Sequence, residues 1–425
     1  MKRTAMAAMG ILGLVAVLGA GFLAGGDRAA VRWSALRAVV FESDDWGLAG
    51  FVPAADAWDG LDREALAPGR FPPVYWGSTL EDSAAVAALA AVLAGAKGRD
   101  GRPAVLQPNY IMGAQELRDG VWRETRLPEL PAAYPRPGLW PAVDAAVRAG
   151  VWYPEYHGAW HYDPARRREA VAADPLSRRA AERGILLFRG SEAARELGPW
   201  RPLPVLAAEL EAGLATFRRC FGRAPGSLIA PDYAWNARSE GLWARHGLQV
   251  VQGKGEQRNP DLPPGLAGRA LKFAARRWGK VARPGLVYLE RNCRFEPVQA
   301  PDPAAVTAAC AAQVRQAWSR GEPAIVETHR VNFAHTDPAV AALGRRELGR
   351  LLADLGEDRP LFLTDTEVAQ LARRGVSVRS GGDGQVIVRN GTRARRVAMV
   401  PAEGGAQLVL VPAGAGTGNG PRKFD

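Results

Sequence analysis

The stretch Leu36-Arg37-Ala38-Val39-Val40-Phe41-Glu42-Ser43-Asp44-Asp45-Trp46-Gly47 decides how the rest of the chain is read. An apolar run of this length, rich in β-branched residues, predicts a strand buried on both faces, and its sudden polar end predicts a strand terminus. Working outward, similar short runs alternate with helical patterns. Strand character is expected at Pro103 to Met112, Val151 to Tyr156, Gly226 to Tyr233, Leu248 to Gln252, Leu286 to Glu290, Ala324 to Thr328 and Leu361 to Leu363. Helices are expected at Ser83 to Ala96, Pro141 to Ala149, Val205 to Phe221, Ser239 to His246, Pro303 to Arg320, Val340 to Leu355 and Glu367 to Arg374. Repeated strand–helix alternation implies parallel strands with helices outside, closed as a barrel or open as a doubly wound sheet. After Gly375 short apolar runs split by Gly and Asn predict a small β appendage over 376–425, ending in a Gly/Pro tail.

Composition narrows the function classes. The 425 residues are 47% hydrophobic and 23% charged, a globular balance that excludes a disordered or collagen-like chain. Three cysteines, Cys220, Cys293 and Cys310, form no CxxC pair and are too few for a disulfide scaffold or zinc ribbon. The formal charge is +11, and 49 of the 55 basic residues are Arg. They are scattered among acids without a sustained stripe, so no nucleic-acid partner is expected, although basicity favours membranes and acidic polymers. Met1-Lys2-Arg3 precedes an uncharged run from Thr4 to Gly26. That pattern predicts a signal peptide or N-terminal membrane anchor over 1–26, and hence an exported, periplasmic or extracytoplasmic protein.

In barrels and open α/β sheets, ligands bind at the carboxyl ends of strands. Three such ends carry unusual groups. Asp44 and Asp45 repel each other, so a cation or proton would keep them together, unless they form an ordinary acidic turn or helix cap. His157 and His161 stand four apart, which on a helical turn lets two imidazoles bind one metal; a surface pair is the alternative. His329 ends the strand Ala-Ile-Val-Glu-Thr, as a core histidine or as a third element of a site.

The order Asp-Asp-x-Gly, His-x-x-x-His, Pro-x-Tyr and a late strand ending in His resembles the polysaccharide deacetylases of carbohydrate esterase family 4, over roughly Val39 to Leu371. The resemblance implies a distorted (β/α) barrel over 27–375. It also implies one divalent metal, zinc foremost with cobalt, nickel, manganese or iron open, held by Asp45, His157 and His161. It assigns Asp44 as general base and His329 as general acid, and places a backbone N–H near Tyr233 at an oxyanion hole. The implied reaction is removal of acetyl groups from a glycan, N-acetyl ahead of O-acetyl. Trp46, Trp160, Tyr162 and Trp235 lie near these motifs, either to stack on sugar rings or as core beneath the loops. The chain departs from the family in several places. Leu228-Ile229-Ala230 stands where an Arg orients the base, and Arg291 and Arg330, at other strand ends, are its replacements by guess. The Asp-x-x-x-Trp motif is absent, and Glu327 occupies an otherwise apolar position. The alternatives are a non-catalytic glycan-binding protein and a glycosidase pairing Asp44 or Asp45 with Glu327.

Overall fold

A computed structural model describes residues 31–47, 51–67, 71–191, 194–253, 286–381, 385–402, 405–413 and 416–417. The predicted signal or anchor over 1–26 lies outside them. Among the described residues no helix is long and apolar enough to cross a membrane.

The quoted stretch forms β1 (Ala38–Trp46), eight of whose nine residues are buried. It sits inside a curled parallel sheet with β2 (Leu106–Tyr110), β5 (Glu155–Tyr156), β6 (Ser227–Ile229), β7 (Val250–Gly253) and β8 (Val287–Glu290) following on one side. On the other side stand β10 (Ala324–His329) and β9 (Cys293–Arg294), while β11 (Leu361–Phe362) pairs the start of β1. Together with the outer helices this is a distorted (β/α) barrel. Residues 291–292 carry the chain from one edge of the sheet to the other: the Arg291 N–H donates to Gly253 O at 2.8 Å and the Asn292 N–H to Ile325 O at 3.1 Å. The seam of the barrel is therefore spanned by two residues, and one of them is an arginine.

Local chemistry explains the helices around it. Asp82, Asp302 and Asp337 cap the helices α1 (Ser83–Gly95), α7 (Pro303–Ser319) and α8 (Pro338–Glu357), the latter two with Pro in the first turn. Thr364 and Glu367 form a reciprocal capping box on α9 (Asp365–Arg374). Leu89 and Leu93, Leu210 and Phe217, and Leu348 and Leu352 pack on the outward-facing Phe41, Leu106 and Val326 in one continuous core. Among the described residues the other helices of eight residues or more are α2 (Leu139–Arg148), α3 (Pro164–Ala173), α4 (Pro175–Glu182), α5 (Leu203–Phe221) and α6 (Ala237–Arg245).

The barrel interior is layered by the period of a strand. Val40, Glu42 and Asp44 of β1 share its inward face. Val40 joins Val250, Ile325 and Val368 in an apolar plug at the bottom. Glu42, Gln107, Asn109, Ser227, Gln252 and Asp365 are buried polar groups in the middle, and Asp44 emerges at the top.

Several boundaries differ from the sequence expectation. The third strand shrinks to Glu155–Tyr156, since Pro154 has no N–H for a ladder, and the fourth ends at Ile229 because Pro231 opens a 3₁₀ turn. The hairpin β3 (Gly113–Arg118) and β4 (Val121–Arg126) and the helices α3 and α4 were not anticipated. After Gly375 the chain forms the antiparallel pairs β12 (Val376–Ser380) with β13 (Val386–Asn390) and β14 (Arg396–Ala402) with β15 (Gly405–Val411). Arg389 ties this unit to the barrel through Glu367 and, at 2.7 Å, Asp100. All three cysteines are free.

Candidate active site

Consecutive residues of a regular strand point to opposite faces, so Asp44 and Asp45 would not ordinarily share a site. Here the register of β1 on β2 shifts between Ser43 and Trp46, and Asp45 takes a φ of 71°. This bulge turns both carboxylates into one cleft. The His157–His161 segment is not a helical turn, contrary to the spacing argument. It is a loop with Gly158 at φ 117° and His161 at φ 70°, wrapped around the buried Glu196 carboxylate. Glu196 accepts the N–H groups of Ala159 (2.7 Å), Trp160 (3.2 Å) and His161 (2.7 Å). A Cβ at position 158 would lie 2.4 Å from Glu196 Oε2, so only glycine allows the wrap.

The loop brings the two imidazoles to Asp45. The His157 and His161 Nε2 atoms lie 3.5 and 3.4 Å from Asp45 Oδ1, and the three ligand atoms fall within 4.8 Å of one another. His157 Nδ1 is 3.0 Å from the Ile229 carbonyl, which fixes that nitrogen as the donor and leaves Nε2 as an acceptor for a cation. Two imidazoles and one carboxylate are a common donor set for zinc. Burial opposes a charge on Asp45, but the His157 and His161 imidazoles beside it hold its carboxyl well below the usual range. The residues present fit a divalent ion.

Asp44 stands opposite His329 in the register of β1 on β10. The seam residue Arg291 reaches into the barrel and spends all five N–H groups there. Its Nε donates to Glu42 Oε2 (2.5 Å) and its Nη1 to Asp44 Oδ2 (2.7 Å) and Tyr233 Oη (2.8 Å). Nη2 donates to Asp44 Oδ1 (2.7 Å) and Gln252 Oε1 (2.9 Å). Asn109 Nδ2 adds a further donor to Asp44 at 2.8 Å. Burial alone would raise the Asp44 pKa, yet the forked guanidinium lowers it far beneath the carboxylate range, so Asp44 is ionised. Glu42, under burial and the nearby Asp365, is pushed the other way, well above its ordinary value. Arg291 is thus oriented on Asp44 and lies inside the barrel. Arg330 does not share this orientation. Its guanidinium pairs with Glu81 at 3.3 Å, beside the Gly47 turn.

His329 Nδ1 lies 2.5 Å from Glu296 Oε1, and its Nε2 points toward Asp44, 3.9 Å from Oδ2. The other Glu296 oxygen accepts from Asn332 and Gln299, each at 2.7 Å. Burial disfavours the imidazolium, but the Glu296 carboxylate overrides it and raises the His329 pKa to about 10. Glu296 carries no family motif and was missed; it does for His329 what Arg291 does for Asp44.

The cleft, about 480 Å³, is lined by these groups and by an aromatic wall of Phe51, Phe71, Tyr75, Tyr162 and Phe188. Three expectations change. Trp46 and Trp160 are buried beneath the site: Trp46 donates to Ser43 Oγ at 2.8 Å and meets Trp152 edge-on, while Trp160 lies under the Arg126 guanidinium. Neither ring lines the cleft. Tyr233 does line it, but its N–H donates to Ala230 O at 3.0 Å within the 3₁₀ turn and is not presented to an oxyanion. Its phenol bridges Arg291 and, at 3.2 Å, Glu327. Of the other aromatics, Trp235 is core and bonded to Glu240 at 3.1 Å.

No protein-family model matches the chain, and no curated protein matches it. Among solved structures, it is similar to a provisionally assigned polysaccharide deacetylase from Mycobacterium smegmatis. That match has 15% identity and a TM-score of 0.37, and covers 79% of this chain and 89% of the other. It is also similar to IcaB from Ammonifex degensii, with 15% identity, a TM-score of 0.26, and 57% and 97% coverage.

Proposed function

We propose that this protein is a metal-dependent hydrolase that removes acetyl groups from a glycan, N-acetyl ahead of O-acetyl. The observation that carries the reading is the convergence, in one cleft, of three arrangements: a His₂–carboxylate trio, an ionised Asp44 held by Arg291, and a His329 kept protonated by Glu296. A binding protein needs neither of the last two. When bound by Asp45, His157 and His161, a divalent ion supplies Lewis acidity toward the acetyl carbonyl and acidifies water; zinc suits the donors.

The chain's own residues account for the proton movements. Asp44 receives a proton from the attacking water as its oxygen bonds to the acetyl carbon. Arg291 and Asn109 fix that carboxylate, so its free lone pair faces the cleft. His329 delivers the Nε2 proton to the departing nitrogen or oxygen as the bond to the acetyl carbon breaks, and acetate leaves with the water oxygen. Glu296 then holds the imidazole oriented for reprotonation. The aromatic wall supplies faces on which sugar rings can stack.

Export to an extracytoplasmic compartment, by a cleaved signal or a retained anchor, is part of this reading and rests on the Thr4 to Gly26 run. Acetate release decides the function. An acetylated chito-oligomer and an O-acetylated polymer are each incubated with the protein, with and without chelator, and with Asp44→Asn. Chelator-sensitive acetate from the chito-oligomer, lowered about 10²–10⁴-fold in Asp44→Asn, is expected. Acetate release indifferent to both would sink the reading.

A further inference from the structure

A second cavity, about 300 Å³, lies at the other end of the barrel, where the approaches to β2 and β5 meet the C-terminal sheets. Four guanidinium groups line it, those of Arg102, Arg148, Arg223 and Arg379, against one acid, Asp144. Their charges are poorly matched. The Arg379 side chain is only 8% exposed, and its nearest carboxylate, Glu367 at 3.2 Å, is shared with Arg389. Arg102 Nε is buried without a hydrogen bond, and Arg379 Nε has its ion pair with Glu367 but no hydrogen bond of good geometry. Arg223 donates to the carbonyls of Pro154 and, at 3.0 Å, Ala224, and stands 3.5 Å from Glu155. Burial pushes that carboxyl up to about 7, so it is an incomplete counter-charge. Arg223 and Arg379 both approach the Tyr153 ring, at 3.8 and 5.8 Å, which fixes them at the cavity wall. Burial, Arg389 and Arg102 all act against the Arg379 charge. Four like charges converge here on two neighbouring carboxylates, Glu367, which is shared with Arg389, and Glu155, around a space the size of a small ligand.

We propose that this cavity binds an oxyanion, a phosphate or carboxylate carried on a ligand about the size of one sugar residue. The forked Arg donors suit both groups. The site stands at the amino ends of the strands, away from the cleft, and does not depend on the hydrolase reading. It gives the C-terminal sheets a task, since Arg379 and Ile387 form one wall.

Titration calorimetry on the full chain tests it, with inorganic pyrophosphate and with glucuronate as probes. The variant is Arg102→Gln combined with Arg148→Gln, both outside the Arg389–Glu367–Asp100 ion pairs; a thermal melt checks its fold. Saturable binding of at least one probe is expected, weakened by salt, unchanged in His161→Ala and roughly tenfold or more weaker in the double variant. Binding of pyrophosphate alone assigns a phosphate ligand, and of glucuronate alone a carboxylate. Failure of both probes to bind, binding unaffected by the double variant, or binding lost in His161→Ala would overturn the proposal.

Discussion

Replacing Glu296 by Gln separates the proton-donor role of His329 from simple packing. The carboxylate sits 2.5 Å from His329 Nδ1, and with it the folded pKa is about 10 although burial acts in the opposite direction. An opposite charge at this range is worth about 1–3 pH units. Glutamine keeps the shape and an acceptor oxygen but removes the charge, so burial then acts unopposed by Glu296. A general acid must be protonated, so activity persists below its pKa and falls above it. The alkaline limb of kcat/KM against pH is expected near pH 10 in the native protein and about 1–3 units lower in Glu296→Gln. Stability follows the same sign. A histidine raised from about 6.5 adds stability that is complete below that value and lost as pH rises through about 10. The variant loses that contribution, so its urea midpoint falls most at about pH 6 and progressively less toward pH 10. An unmoved alkaline limb in a folded, active variant would refute the reasoning.

Other expectations follow from the same contacts. Arg291→Met strands Asp44 and Glu42 in the barrel and is expected to cost about 3–5 kcal/mol in denaturant unfolding. Arg291→Lys keeps the charge but not the fork, so it is expected to retain more stability than Met while lowering kcat by about tenfold or more. Gly158→Ala drives a methyl into Glu196 at a φ of 117°. It is expected to destabilise by about 1–3 kcal/mol and to weaken metal binding, read by a melt and a competitive chelator titration. Trp46→Phe and Trp160→Phe are expected to lower the melting temperature without changing KM, because both rings are core.

The site was partly legible because its ligands sit in short local patterns. Asp44 and Asp45 end an apolar strand, and His157 and His161 stand four apart. What the spacing did not contain was the backbone that makes these patterns work. The Gly158 loop depends on Glu196, contributed from outside the motif, and the β1 bulge on a register shift against β2. The two positioning groups were harder still. Arg291 reaches Asp44 across 247 positions because it falls at the barrel seam, and no local pattern announces a seam. Glu296 reaches His329 across 33, in a turn with no periodicity. The fold was more legible than its edges: alternating runs predicted parallel strands with helices outside, and the family resemblance implied their closure as a barrel, whereas Pro154 and Pro231 cut two strands short. The Asp119-Gly120 turn between β3 and β4 carries a hairpin signal of its own.

The central claim is a metal held by Asp45, His157 and His161, and the most direct measurement is metal content per chain. The native protein is compared with Asp45→Ala, His157→Ala and His161→Ala, each confirmed as folded. One divalent ion per native chain, lost in all three variants together with acetate release, is the predicted result. A native protein that takes up no metal, with both histidines intact and the fold retained, would contradict the account.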